Sequence, residues 1–94
     1  MKIRITVFTT LRELIGEKEI ELELPNDITF ESLLKHLSNK YGQSFIDYVY
    51  NKRGKVRGNL QFIINGKSIH TLQGFETKLK EGDGIIIVPP VGGG

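Results

Sequence analysis

Gly84-Ile85-Ile86-Ile87-Val88 followed by Pro89-Pro90-Val91-Gly92-Gly93-Gly94 is the stretch whose reading decides the fold. Four consecutive aliphatic residues leave no polar face, so a strand made of Ile85–Val88 belongs in the middle of a sheet. The two prolines cannot continue the ladder and favour an extended exit. The glycines add the thinnest possible backbone. A central strand at the end of the chain needs a neighbour formed much earlier. The first strand, running parallel to it, is the natural partner.

Working outward, the opening residues supply that neighbour. Ile3, Ile5 and Val7 alternate with Lys2, Arg4 and Thr6, the period of a half-buried strand. Leu11-Arg12-Glu13-Leu14-Ile15 can make a short helix closed by Gly16 in the left-handed region. Ile20, Leu22 and Leu24 alternate with Glu19, Glu21 and Glu23, a second strand whose acidic face can pair with Lys2 and Arg4 in an antiparallel hairpin. Thr29 is a helix N-cap candidate, and Glu31 lies in the positive first turn. Phe30, Leu33, Leu34, Leu37 and Tyr41 recur at helical spacing, and Gly42 ends that helix. Phe45 to Tyr50 suits a helical turn or a strand equally. Leu60, Phe62 and Ile64 alternate in a third strand, and Asn65-Gly66 is a two-residue hairpin signal leading to a short return strand, Lys67–Ile69. Thr71 to Lys80 reads as irregular, and Glu81-Gly82-Asp83-Gly84 as a turn.

One main helix on one face of a mixed sheet of about five strands is an α+β arrangement, and the central last strand makes it a β-grasp, ubiquitin-like fold. The division expected is a domain over 1–88 and a flexible tail over 89–94.

Composition removes several functions. The 94 residues contain no cysteine, so disulfides, thiolate metal sites and thiol nucleophiles are excluded. Net charge is +2, too small to imply nucleic acid. The chain lacks a membrane-length apolar run and a signal-peptide pattern, which points to a cytoplasmic setting with no membrane partner. His36 and His70 stand alone as histidines, on the polar side of the helix and in a loop. No carboxylate or histidine cluster has metal-ligand spacing, so no metal site is expected. Gly82-Asp83-Gly84 is too little for a phosphate loop. Lys52, Arg53, Lys55 and Arg57 form a basic loop without interleaved aromatic residues. It suits steering of an acidic partner better than nucleic-acid readout.

Several pieces resemble one known family, the small sulfur-carrier subunits of molybdopterin synthase among the ubiquitin-like carriers. They are Phe8 with Leu11-Arg12-Glu13-Leu14-Ile15-Gly16, Ile63-Ile64-Asn65-Gly66, Leu79-Lys80-Glu81-Gly82-Asp83 and the tail Pro89-Pro90-Val91-Gly92-Gly93-Gly94, in which Gly92 fills a variable position. The resemblance implies that an ATP-dependent, ubiquitin-activating-like adenylyltransferase activates the Gly94 carboxylate, using ATP and Mg, with no cofactor held permanently by the chain. A sulfur donor then makes a thiocarboxylate. The carrier, not catalytic alone, docks in a large catalytic subunit and gives up its sulfur to a pterin precursor. Gly93 and Gly94 would be the reacting end, Pro89, Pro90, Val91 and Gly92 the docking tail, and Phe8, Ile69 and Val88 the partner surface. Two alternatives stay open. One is a ubiquitin-like modifier joined through Gly94 to target lysines, with a possible link to tRNA thiolation. The other is a non-covalent interaction module for which Gly93 and Gly94 are dispensable.

Overall fold

The computed structural model describes residues 1–89. Five strands form one mixed sheet: β1 (Lys2–Thr6), β2 (Glu19–Glu23), β3 (Gln61–Ile64), β4 (Lys67–Ser68) and β5 (Gly84–Val88), in the order β2-β1-β5-β3-β4. The strand apolar on both faces is central, as its composition requires. It runs parallel to β1, with Ile5 beside Ile85 and Thr6 beside Ile86, and antiparallel to β3, with Ile63 beside Ile86 and Gln61 beside Val88. This is the β-grasp arrangement.

Three helices accompany the sheet: α1 (Thr9–Ile15), α2 (Phe30–Tyr41) and α3 (Gln43–Val49). Thr29 Oγ1 accepts from the Ser32 N–H at 3.2 Å, so the expected cap forms. Phe30, Leu33, Leu34 and Leu37 are buried under the sheet, against Ile3, Ile5, Phe62, Ile85 and Ile87 of its inner face. The Phe30 ring meets those of Phe62 and Phe75 at centroid distances of 5.0 and 6.2 Å.

The ambiguous stretch over 45–50 is helical. Gly42, at φ 82°, both ends α2 and starts α3, so a single residue reverses the chain and drops Phe45 and Val49 into the core. Thr71 to Lys80, expected to be irregular, is more ordered than that. It contains parts of two 3-10 turns, Ile69–Thr71 and Gly74–Glu76, and Lys78 bridges back to Thr29. The return strand is one residue shorter than expected, because Ser68 Oγ accepts from the His70 N–H and starts a turn there.

The acidic face of β2 engages β1 through Arg4, which reaches Glu19 at 3.0 Å and Glu21 at 3.7 Å. Lys2, also expected to pair, makes no ion pair among the described residues. All these groups are exposed, so the pairs set strand register more than they add stability.

Asp83 fixes where β5 begins. It is the one buried ionisable side chain among the described residues. Its oxygens accept from Asn65 Nδ2 and from the Lys80 N–H, each at 2.8 Å, while Asn65 Oδ1 accepts from the Gly84 N–H at 2.8 Å. Asn65 and Gly66, at φ 50° and 83°, make the two-residue hairpin turn. The hairpin tip is thus tied to the first residue of the strand that leads to the tail.

Candidate functional site

Inward residues of β5 belong to the core, and its outward residues define a surface. Ile86 and Val88 are half-buried on the face away from α2. Register places Thr6 and Ile63 on either side of Ile86, and Ser68 beyond Ile63. Continuing the β1–β5 register by two residues brings Phe8 level with Val88. The Phe8 backbone is still extended there, at φ −132° and ψ 159°. Phe8, Ile63, Ile86 and Val88 therefore form a half-buried apolar patch at the end of the sheet from which the tail departs.

Polar groups frame it. The Arg12 guanidinium lies over the Phe8 ring at 5.6 Å, and its Nε donates to the Val7 carbonyl at 3.4 Å. Arg4 stands further along β1 and Gln61 beside Val88. Thr9, immediately after Phe8, is held at φ 45°, a left-handed conformation that costs a residue with a β-carbon about 1 kcal/mol. That turn moves the chain from β1 into α1 without covering Phe8.

Of the residues expected at a partner surface, Phe8 and Val88 are on this face. Ile69 is not, and this is a correction: it is completely buried. Ser68 lies beside Ile63 on the outer face, so the next residue turns inward, and the 3-10 turn seats Ile69 in the core. Ile63 and Ile86 take its place in the patch. Their signal was in the sequence: Ile63 is the apolar residue out of phase with Phe62 and Ile64, and Ile86 is out of phase with Ile85 and Ile87. Pro89 is half-buried at the strand exit. Pro90, Val91, Gly92, Gly93 and Gly94, named as docking tail and reacting end, lie outside the described residues.

Other chemistry is sparse. Among the described residues no group of three or more His, Cys, Asp or Glu side chains could hold a metal ion. His36 and His70 are both exposed. No described helix is long and apolar enough to cross a membrane. The perturbed groups are tyrosines on the helix side. Burial raises Tyr41, Tyr48 and Tyr50 above the ordinary 10.0, with negative charge from Glu17 adding to Tyr41. At Tyr50 the polar Ser38 side chain nearby opposes the rise and negative charge from Glu31 adds to it.

A β-grasp body with an apolar patch beside its final central strand has the architecture of ubiquitin-like carriers. Residues 5–94 match the ThiS family, and the chain belongs to that sulfur-carrier family. It is 31% identical to the small archaeal modifier protein 3 of Haloferax volcanii, with all of both chains covered. It is also 31% identical to the molybdopterin synthase sulfur carrier subunit of Drosophila melanogaster, over all of this chain and 92% of that one. The solution structure of the small archaeal modifier protein 1 from Methanosarcina acetivorans superposes with a TM-score of 0.80 at 33% identity, covering 99% of this chain and 96% of that one.

Proposed function

We propose that the chain is the sulfur-donating small subunit of a molybdopterin synthase and that Gly94 carries the sulfur. The observation that favours this reading is the position of β5. The last strand runs beside the apolar patch formed by Phe8, Ile63, Ile86 and Val88 and leads directly to Pro89. A large subunit that holds this patch would also hold the strand end at Val88 and Pro89, where the tail begins, and a fixed starting point lowers the ordering cost of docking. Full-length similarity to a molybdopterin synthase sulfur carrier subunit supports the same reading.

The chemistry follows from the residue types. A carboxylate is a poor electrophile because its charge is delocalised. Its oxygen attacks the α-phosphate of Mg-bound ATP on the activating enzyme, and pyrophosphate leaves. The acyl-adenylate then accepts hydrosulfide at its carbonyl carbon, AMP leaves with the bonding pair, and the S–H proton is lost to solvent. The product is a thiocarboxylate, so a chain without cysteine carries sulfur on its own backbone. Gly93 and Gly94 present no side chain to block passage into two different active sites.

The full-length match to a small archaeal modifier protein favours a second reading, in which activated Gly94 is attacked by a lysine amine to give an isopeptide bond. Mass spectrometry separates the two. Chain purified from its own host gains about 16 Da when sulfur replaces the carboxylate oxygen, as an activated acyl group accepting a sulfur nucleophile requires. Lysines of other proteins carrying the branched C-terminal peptide of this chain (Glu81–Gly94 after tryptic cleavage at Lys80), without that mass gain, would overturn the sulfur-carrier reading in favour of the modifier.

A further inference from the structure

The charge of this chain is unevenly placed. Residues 1–31 hold Lys2, Arg4, Arg12 and Lys18 against seven carboxylates, whereas the remainder holds nine Lys and Arg against Asp47, Glu76, Glu81 and Asp83. Part of the basic excess is gathered on the loop between α3 and β3, on the helix side of the sheet, away from the patch and the strand that leads to the tail.

That loop is built, not slack. Tyr50 bridges to Val56 across it, and the Asn51 N–H donates to the Lys55 carbonyl at 2.8 Å. Asn51 Oδ1 accepts from the N–H groups of Arg53 and Lys55 at 2.9 and 3.1 Å. Gly54, at φ 78°, supplies the left-handed turn at the tip. The Arg57 guanidinium donates to the Asp47 carbonyl at 3.1 Å and fastens the loop to α3. Lys52, Arg53 and Lys55 are exposed and make no ion pair among the described residues.

Between this loop and α2 lies a cleft of about 480 Å³, with Tyr50, Val56 and Phe75 half-buried in its wall. It continues past Tyr50 and Lys35 into a second hollow of about 520 Å³ that reaches Lys52 and Ser38. Two carboxylates share the groove: Glu31 lies 3.9 Å from Lys35, and Asp47 accepts from Gln43 Nε2 at 2.8 Å. Lys52 and Lys55 make no ion pair among the described residues, so an apolar floor beside a basic, pre-ordered loop is complementary to one kind of occupant.

We infer that this groove is a second docking surface, for an acidic segment of a partner protein that carries an aromatic or aliphatic anchor. The anchor enters between Tyr50, Val56 and Phe75, and the segment's carboxylates meet Lys52 and Lys55. The inference is independent of what happens at Gly94. Because the groove and the outer patch lie on opposite sides of the sheet, one partner can hold the carrier by the groove while another engages the patch and the tail.

The test is a titration of the isotope-labelled full chain, followed by amide chemical shifts. The probe is a synthetic twelve-residue peptide of alternating Asp or Glu with Phe or Leu. Saturable shifts are expected at Lys35, Tyr50, Lys55, Val56 and Phe75, with the outer face unmoved. Raising salt from about 50 to about 300 mM should weaken binding roughly tenfold, since exposed charges are screened. The double variant Lys52→Glu, Lys55→Glu should lose at least about tenfold in affinity with its melting temperature unchanged. Phe75→Ala tests the apolar contact separately, and the salt response of the unmodified chain holds even if a variant fails to fold. Any of three results would overturn the inference: shifts confined to the outer patch, equal binding of a peptide with Ser in place of every acidic residue, or tighter binding of a twelve-nucleotide single-stranded RNA at the same amides.

Discussion

The two faces of β5 are chemically almost the same and do different work. Ile85 and Ile87 look inward and are 1% and 2% exposed, while Ile86 and Val88 look outward and are half-buried. The inward pair closes the core over α2. The outward pair is flanked by Thr6 and Ile63, is level with Phe8, and is covered by no helix among the described residues. A strand apolar on both sides would ordinarily be buried on both sides. Among the described residues no layer packs on the outer side, and in our reading a partner supplies it. The difference teaches that aliphatic content records a strand's central position, and that the layers packed on it decide whether each side chain serves folding or recognition.

The largest effect expected concerns the inner face. Ile87→Ala should lower unfolding free energy by about 2–5 kcal/mol, because it leaves a cavity in a packed core, whereas Ile86→Ala should cost about 1 kcal/mol. Urea titration of both variants checks this, and equal losses would erase the distinction between the faces.

The outer face should respond in the opposite assay. If the proposed function holds, Val88→Asp and Phe8→Ala should each reduce affinity for the proposed large synthase subunit by about 10- to 100-fold, the range of an interface anchor, with little change in melting temperature. Calorimetry with the purified partner measures it. Ile69→Ala, chosen as a contrast, should lower stability and act on docking through folding alone, since that side chain is completely buried.

Next in size is the tie that sets where β5 starts. Asp83→Ala strips the Asn65 amide and the Lys80 N–H of their acceptors and should cost about 1–3 kcal/mol. Hydrogen exchange should then quicken at Gly84 and Asn65 first. Uniform quickening over both faces would show that the tie stabilises the whole body and does not position the strand.

The smallest effect is a pH dependence. Tyr41, Tyr48 and Tyr50 titrate above their ordinary 10.0 in the fold, mainly through burial. The folded state therefore holds their protons more tightly than the unfolded one. Their contribution is complete below pH 10 and is lost as pH rises through the raised values. Replacing all three with Phe should flatten the alkaline limb of a stability–pH curve, while Ile86→Ala should leave its shape unchanged.

Much of this was readable from local pattern. Alternation located β1, β2 and β3, the cap at Thr29 and the stop at Gly42 bounded α2, and Asn65-Gly66 announced its hairpin. Local pattern failed at Phe45–Tyr50, where six residues are too few to show a helical period and Gly42 reverses the chain at once. The family resemblance failed at Ile69, whose side depends on Ser68 lying beside Ile63, a pairing that no stretch of sequence states. The basic loop was visible as charge. Its cleft was not, because the wall draws Tyr50, Val56 and Phe75 from separate segments.

By itself, then, the sequence determined the elements, the central place of Ile85–Val88 and the absence of any thiol, because each follows from residue type and short-range periodicity. The tertiary structure alone decided that Ile69 turns into the core, that Phe8, Ile63, Ile86 and Val88 share one patch, and which cations gather beside a cleft. Those outcomes rest on strand register and on contacts between residues far apart in the chain, where packing chooses among arrangements that local preference leaves equal.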